Sequence, residues 1–183
     1  MRLVTFTAVN ESRIGVWQAD GTVLDLTDDP QLPRDMAGFV ALGTDGLAAA
    51  AALADSGSGT EFGAVTLDAP VRPRNNVMAV GRNYHEHALE FTDSGFDASE
   101  KEMIPDHPII FTKAVSSIIG PDVAIELAHD PSGTSDYEGE LGVVIGPGGT
   151  SISAADAMEH VYGYTIINDV TARALQKQHV QFF

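Results

Sequence analysis

No cysteine occurs among the 183 residues. Its absence removes disulfides, thiolate nucleophiles and soft-metal sites together, so any bound metal must take oxygen or nitrogen ligands. Positive charge is scarce as well: ten Lys and Arg stand against 26 Asp and Glu, a formal charge of −16. Capture of nucleic acid or of an anionic membrane surface needs basic patches, and the chain has too few cations to build them. No apolar run approaches the ~18 residues that a membrane span requires. The opening Met1-Arg2-Leu3-Val4-Thr5-Phe6-Thr7 is too short and too β-like for a signal peptide. A cytoplasmic location and a small-molecule or protein partner are the expectations that remain. Hydrophobic residues make up 44% of the chain, ample for the core of one domain, or of a small domain with part of another.

Residues 2–8, 13–18 and 22–26 read as short strands, the last two joined by the hairpin turn Ala19-Asp20-Gly21. The pattern turns helical from Asp35, and residues 47–53 form an alanine-rich helix that Thr44 could cap and Ser56-Gly57 would end. A domain boundary is expected near residue 70. Beyond it an apolar strand, 77–80, stops at the polar Gly81-Arg82-Asn83-Tyr84. Residues 84–91 fit a short helix and 93–107 a loop. Strands are expected at 109–113, 123–127 and 137–145, so non-local β pairing dominates this half. Ser153-Ala154-Ala155-Asp156 resembles a capping box opening a helix to His160, followed by a strand over 161–168 and a helix from Thr171.

Glu138 and Glu140 stand two apart in Asp136-Tyr137-Glu138-Gly139-Glu140-Leu141. Along a strand both side chains leave the same face. At ~5 Å and an effective dielectric of ~20 they repel by about 3 kcal/mol, a sign that a cation between them would reverse. Asp169, at the end of the strand over 161–168, could close a three-oxygen site for a hard divalent metal. Two plainer readings compete: acidic residues fill many solvent faces, and Asn168-Asp169 before a helix could be its N-cap. The apolar stretch 141–145 argues for a strand buried on both faces, where unpaired carboxylates are costly.

His87 and Glu90 lie three apart and would share a helical face, where the carboxylate would orient the imidazole as a water-activating base. The alternatives are a surface histidine with a helical ion pair, or His85 and His87 as i, i+2 metal ligands. Lys113 ends an apolar strand, where a lysine often only snorkels; Arg173 and Gln176, three apart, could be an ordinary solvated face. Charge favours function for the group. Three carboxylates around one dication leave a net negative charge, and Lys113 and Arg173 are the cations that would admit an anionic, oxygen-chelating ligand.

Together these segments resemble the fumarylacetoacetate hydrolase family. The resemblance rests on Gly81-Arg82-Asn83-Tyr84 with His87 and Glu90, on Phe111-Thr112-Lys113 followed by Gly120-Pro121, and on Asp136-Tyr137-Glu138-Gly139-Glu140-Leu141 continuing to Ile145-Gly146. Gly163-Tyr164-Thr165 and Asn168-Asp169-Val170-Thr171-Ala172-Arg173 with Gln176 complete it. It covers residues 70–183 and implies an α+β, β-rich fold: a mixed β-sandwich roll with short helices, preceded by a small N-terminal α/β domain over residues 1–70. It implies Glu138, Glu140 and Asp169 as ligands of Mg²⁺ or Mn²⁺, with Ca²⁺ a further option. His87 with Glu90 matches the water-activating dyad, and Lys113 the lysine near the reacting oxygen. Arg82, Tyr84, Arg173 and Gln176 are the substrate-binding candidates.

The activity so implied is hydrolysis of carbon–carbon bonds in acylpyruvate-like 2-oxo acids by a homodimer. Isomerisation of 2-hydroxydienoates and decarboxylation of oxaloacetate are the alternatives within the family, and a catalytically silent metal-binding fragment the alternative outside enzymes. Members normally continue well past the point matching Phe183, so the chain is expected to be a fragment.

Overall fold

Valine, isoleucine and phenylalanine alternate with polar residues through the first 25 positions, and that period of two builds an antiparallel meander. The computed structural model describes residues 1–55, 57–84 and 107–179. Strands β1 (Leu3–Ala8), β2 (Glu11–Trp17) and β3 (Thr22–Asp25) pair in sequence order. The short β4 (Thr60–Glu61) and β5 (Thr66–Leu67) add to the two edges, giving the order β4-β3-β2-β1-β5. The β2–β3 turn falls at the expected place, with Gly21 at φ 86, a left-handed conformation that glycine adopts without steric cost.

One face of this sheet packs Ile14, Val16, Leu24 and Leu26 against Met36, Phe39, Val40 and Ala50 of two helices. The first, α1 (Met36–Ala41), begins where expected, because the Asp35 carboxylate accepts the Gly38 N–H at 2.8 Å. The second, α2 (Gly43–Ala54), starts earlier than residue 47 and has no side-chain cap, so Thr44 lies inside it. Gly43, at φ 58, turns the chain between the two helices in a left-handed conformation that glycine adopts without steric cost. The second cluster, Val4, Phe6 and Val23, takes in Trp17 and Phe62, whose rings stack with centroids 4.3 Å apart. The Arg2 guanidinium lies 4.4 Å from the Trp17 ring centroid.

Farther along, β6 (Val77–Gly81) pairs antiparallel with β7 (Ile109–Lys113), setting Val80 opposite Ile110. β8 (Ser135–Asp136) pairs with β11 (Thr171–Ala172), and β9 (Gly139–Ile145) with β10 (Val161–Asn168). The helix α3 (Arg173–His179) follows β11 directly. The chain is therefore mixed α+β, dominated by sheet. It divides into two compact units, one of Met1–Arg74, Ile118–Val123 and Leu141–Ile166, the other of Asn75–Ser117, Ala124–Glu140 and Ile167–Phe183. No helix among the described residues is long and apolar enough to cross a membrane.

Several expectations need correction. Residues 123–127 form no strand; Val123, Ile125 and Leu127 are exposed and the chain enters a 3₁₀ turn, Leu127–His129. Alternation alone points to that strand, and among the described residues no partner strand meets it. The expected strand over 137–145 is interrupted, since Tyr137 and Glu138 fall between β8 and β9. Nor is β9 buried on both faces: Leu141, Val143 and Ile145 are 60, 47 and 58% exposed, while Val144 packs against the sheet-and-helix core of the first unit. At 153–156 the capping pair forms, with the Ser153 hydroxyl donating to Asp156 Oδ2 at 2.7 Å, but it opens only the 3₁₀ turn Ala157–His160 in place of an α-helix. The helix expected from Thr171 begins at Arg173, because Thr171 and Ala172 are taken into β11.

Candidate functional site

The second unit gathers a set of carboxylates and cations around the β8–β11 ladder. Its foundation is the turn after Asp130. That carboxylate accepts the Ser132 N–H (2.9 Å) and hydroxyl (2.5 Å) on one oxygen, and the Thr134 N–H (2.8 Å) and Ser135 hydroxyl (2.9 Å) on the other. Led by the bond from the Ser132 hydroxyl, these donors hold Asp130 well below the ordinary carboxylate range, at about 2. Thr134 so fixed serves α3 twice: its carbonyl accepts the Arg173 N–H at 3.2 Å and its hydroxyl oxygen the Ala174 N–H at 2.9 Å. The first turn of α3 is thus capped from a distant segment. Asp169, four residues ahead of α3, is not its N-cap.

A second stitch joins the acidic residues. The Asp169 N–H donates to the Glu138 carbonyl at 2.8 Å, and the Glu138 N–H donates to Asn168 Oδ1 at 3.1 Å. Glu138 and Asp169, 31 positions apart in sequence, are thereby locked side by side. Each carboxylate meets a cation. Arg173 Nη1 lies 2.5 Å from Glu138 Oε1, and Lys113 Nζ lies 2.6 Å from Asp169 Oδ1. Lys113 also donates to the Val170 carbonyl at 3.5 Å. The Arg173 guanidinium further donates through Nε (3.1 Å) and Nη2 (3.0 Å) to Asp136 Oδ2, and through Nη1 to Gln176 Oε1 at 3.5 Å.

Of the residues singled out by sequence, Glu138, Asp169, Lys113, Arg173 and Gln176 therefore belong to one connected group. Glu140 follows two residues later at the start of β9 and is half-buried. Among the described residues no three His, Asp or Glu side chains converge as a metal site; the Glu138 and Asp169 carboxylates face guanidinium and ammonium instead. In donor chemistry the carboxylates of Glu138, Glu140 and Asp169 suit a hard dication such as Mg²⁺ or Mn²⁺, and they are the residues that could hold one. Arg82 takes a left-handed backbone at φ 54, unusual for a residue with a side chain, and Tyr84 is exposed. His87 and Glu90 lie outside the described residues, as does His85. Sequence reasoning passed over Asp136, the residue that holds two Arg173 donors. Its signal was the extension of Glu-x-Glu to Asp-x-Glu-x-Glu.

The arrangement is a carboxylate–cation cluster with surplus negative charge: Asp136, Glu138, Glu140 and Asp169 against Lys113 and Arg173. The chain is 47% identical over 120 residues to oxaloacetate tautomerase YisK of Bacillus subtilis, a stretch that is 65% of this chain and 38% of that protein. Its fold matches the fumarylacetoacetate hydrolase from psychrophilic Exiguobacterium antarcticum with a TM-score of 0.70 at 37% identity, covering 99% of this chain and 60% of that one. It matches maleylpyruvate hydrolase from Sphingobium sp. SYK-6, in complex with manganese(II) and pyruvate, with a TM-score of 0.68 at 25% identity, over 97% of this chain and 62% of that one. The chain thus spans about two fifths of the curated relative and about three fifths of the solved structures it matches. The family model for the fumarylacetoacetate (FAA) hydrolase C-terminal region matches residues 76–183, more than half of the chain, and the chain belongs to the fumarylacetoacetate hydrolase family.

Proposed function

We propose that this chain carries acid-handling residues of an enzyme that stabilises the enolate of a small anionic 2-oxo acid. One observation carries the reading: Glu138 and Asp169, stitched together through their backbones, each hold a cation, so two positive donors stand beside a hard-oxygen donor set. Arg173, with Gln176 beside it, would take the substrate carboxylate through its planar fork of N–H donors. Lys113 would donate to the oxygen on which charge builds as the enolate forms. Glu138, Glu140 and Asp169 would hold Mg²⁺ or Mn²⁺, and manganese is present in the maleylpyruvate hydrolase relative. A bound dication would supply Lewis-acid polarisation of the 2-oxo group and cancel the surplus negative charge.

Between reactions, keto–enol tautomerisation of an oxaloacetate-like acid leads, on the 47% identity to a tautomerase of that substrate. Hydrolysis of a carbon–carbon bond in an acylpyruvate-like acid is the second reading, favoured by the spacing of His87 and Glu90 as a water-activating pair. Both reactions develop an enolate on a 2-oxo acid, the intact acid in one and the departing pyruvate in the other, and ask the same of Lys113 and Arg173.

The test is a thermal melt of the full chain with Mg²⁺, with oxalate as an enolate mimic, and with both. Ligand at ~100 times its Kd should add about 2.7 kcal/mol of stability. Joint stabilisation exceeding that of Mg²⁺ alone is the expected result. A folded sample whose melting point neither addition moves would sink the reading.

A further inference from the structure

We propose that Asp136 is a positioning residue, orienting the Arg173 guanidinium for a substrate carboxylate; this rests on the reading of Arg173 given above. Two of the three Arg173 nitrogens, Nε and Nη2, donate to a single oxygen of Asp136, at 3.1 and 3.0 Å. Nη1 alone reaches Glu138 and Gln176. Without Asp136 the guanidinium would be held through Nη1 only, a pivot about which the plane can swing. With it, the plane is fixed at two separated points, and a planar fork binds a carboxylate well only when its plane is set.

Both ends of the contact are anchored by backbone. Asp136 stands opposite Thr171 in the β8–β11 ladder, and Arg173 begins the helix that Thr134 caps from the segment just before Asp136. The same short ladder thus registers acid and base against each other. The pair is also asymmetric in exposure: the Arg173 side chain is 18% exposed and that of Asp136 48%. An ion pair with its acid in water adds little to stability, so a role in aiming Arg173 accounts for the geometry better than a role in holding the fold.

The experiment is calorimetric titration of oxalate into the full chain at saturating Mg²⁺, for the wild type, Asp136→Asn, Arg173→Lys and the double variant, each with a thermal melt. Asp136→Asn should weaken oxalate roughly tenfold with little change in melting temperature, and should cost nothing further once Arg173→Lys has removed the fork. Asp136→Glu, which keeps the charge, should retain most of the affinity and serves if the Asn variant does not fold. Wild type binding with an unchanged Asn variant overturns this proposal and spares the reading of the site. Additive losses in the double variant, or a lowered melting point at unchanged affinity, overturn it in favour of a structural ion pair. A wild type that binds no oxalate overturns both.

Discussion

Asp130 touches no candidate ligand, yet its carboxylate organises the turn from which Thr134 caps α3 and Asp136 meets Arg173. Its hydrogen bonds hold it at about 2 in the folded chain, against an ordinary value near ~4 when unfolded. A depressed carboxylate adds stability that is complete above the unfolded value and is lost as pH falls toward the folded one. Thermal melts of wild type and Asp130→Ala should therefore differ at about pH 6 and converge as the pH drops from about 4 to about 2. A gap that stays constant over that interval would contradict this account. At this scale the sequence was informative where charge and spacing coincided. Lys113, Glu138, Asp169, Arg173 and Gln176 could be grouped before any fold was known. Asp136 shared the local Asp-x-Glu-x-Glu pattern, but its pairing with Arg173, 37 residues away, is set by the register of the β8–β11 ladder and not by that pattern.

Elements were legible in proportion to how far local pattern decides them. Strands β7 and β10 match their expected spans residue for residue, since β-branched and aromatic runs bounded by polar or turn residues specify both ends. Residues 123–127 alternate apolar and other residues yet form no strand, because alternation supplies a face and not a partner. The β1–β2 hairpin was hidden for the opposite reason. Ala8 stands opposite Glu11, leaving Val9-Asn10 as a two-residue turn with φ values of 50 and 64. A β-branched residue is the wrong choice for that conformation, and Val9 gains nothing in return, being 92% exposed. Val9→Asn should raise stability by about 0.5–1 kcal/mol, seen as a higher melting temperature. An unchanged or lower one would mean that the turn relaxes around valine at no cost.

For the molecule as a whole, charge is the dominant collective property. A formal −16 spread over 183 residues destabilises the compact state through self-repulsion, which added salt screens. Raising NaCl from about 0.02 to about 0.5 M should lift the melting temperature by a few degrees, roughly 2–4 °C. A fall would show that the Lys113 and Arg173 ion pairs outweigh the repulsion.

Trp17 is the single tryptophan, and it sits in the first compact unit, stacked on Phe62 and approached by Arg2. The carboxylate–cation cluster lies wholly in the second. The chain therefore carries an optical label on one unit only. Its indole emission reports when the five-stranded sheet loosens, whereas backbone circular dichroism reports both units. Superimposable transitions by the two signals would describe one cooperative molecule, and separated transitions would give each unit its own melting curve without any added dye.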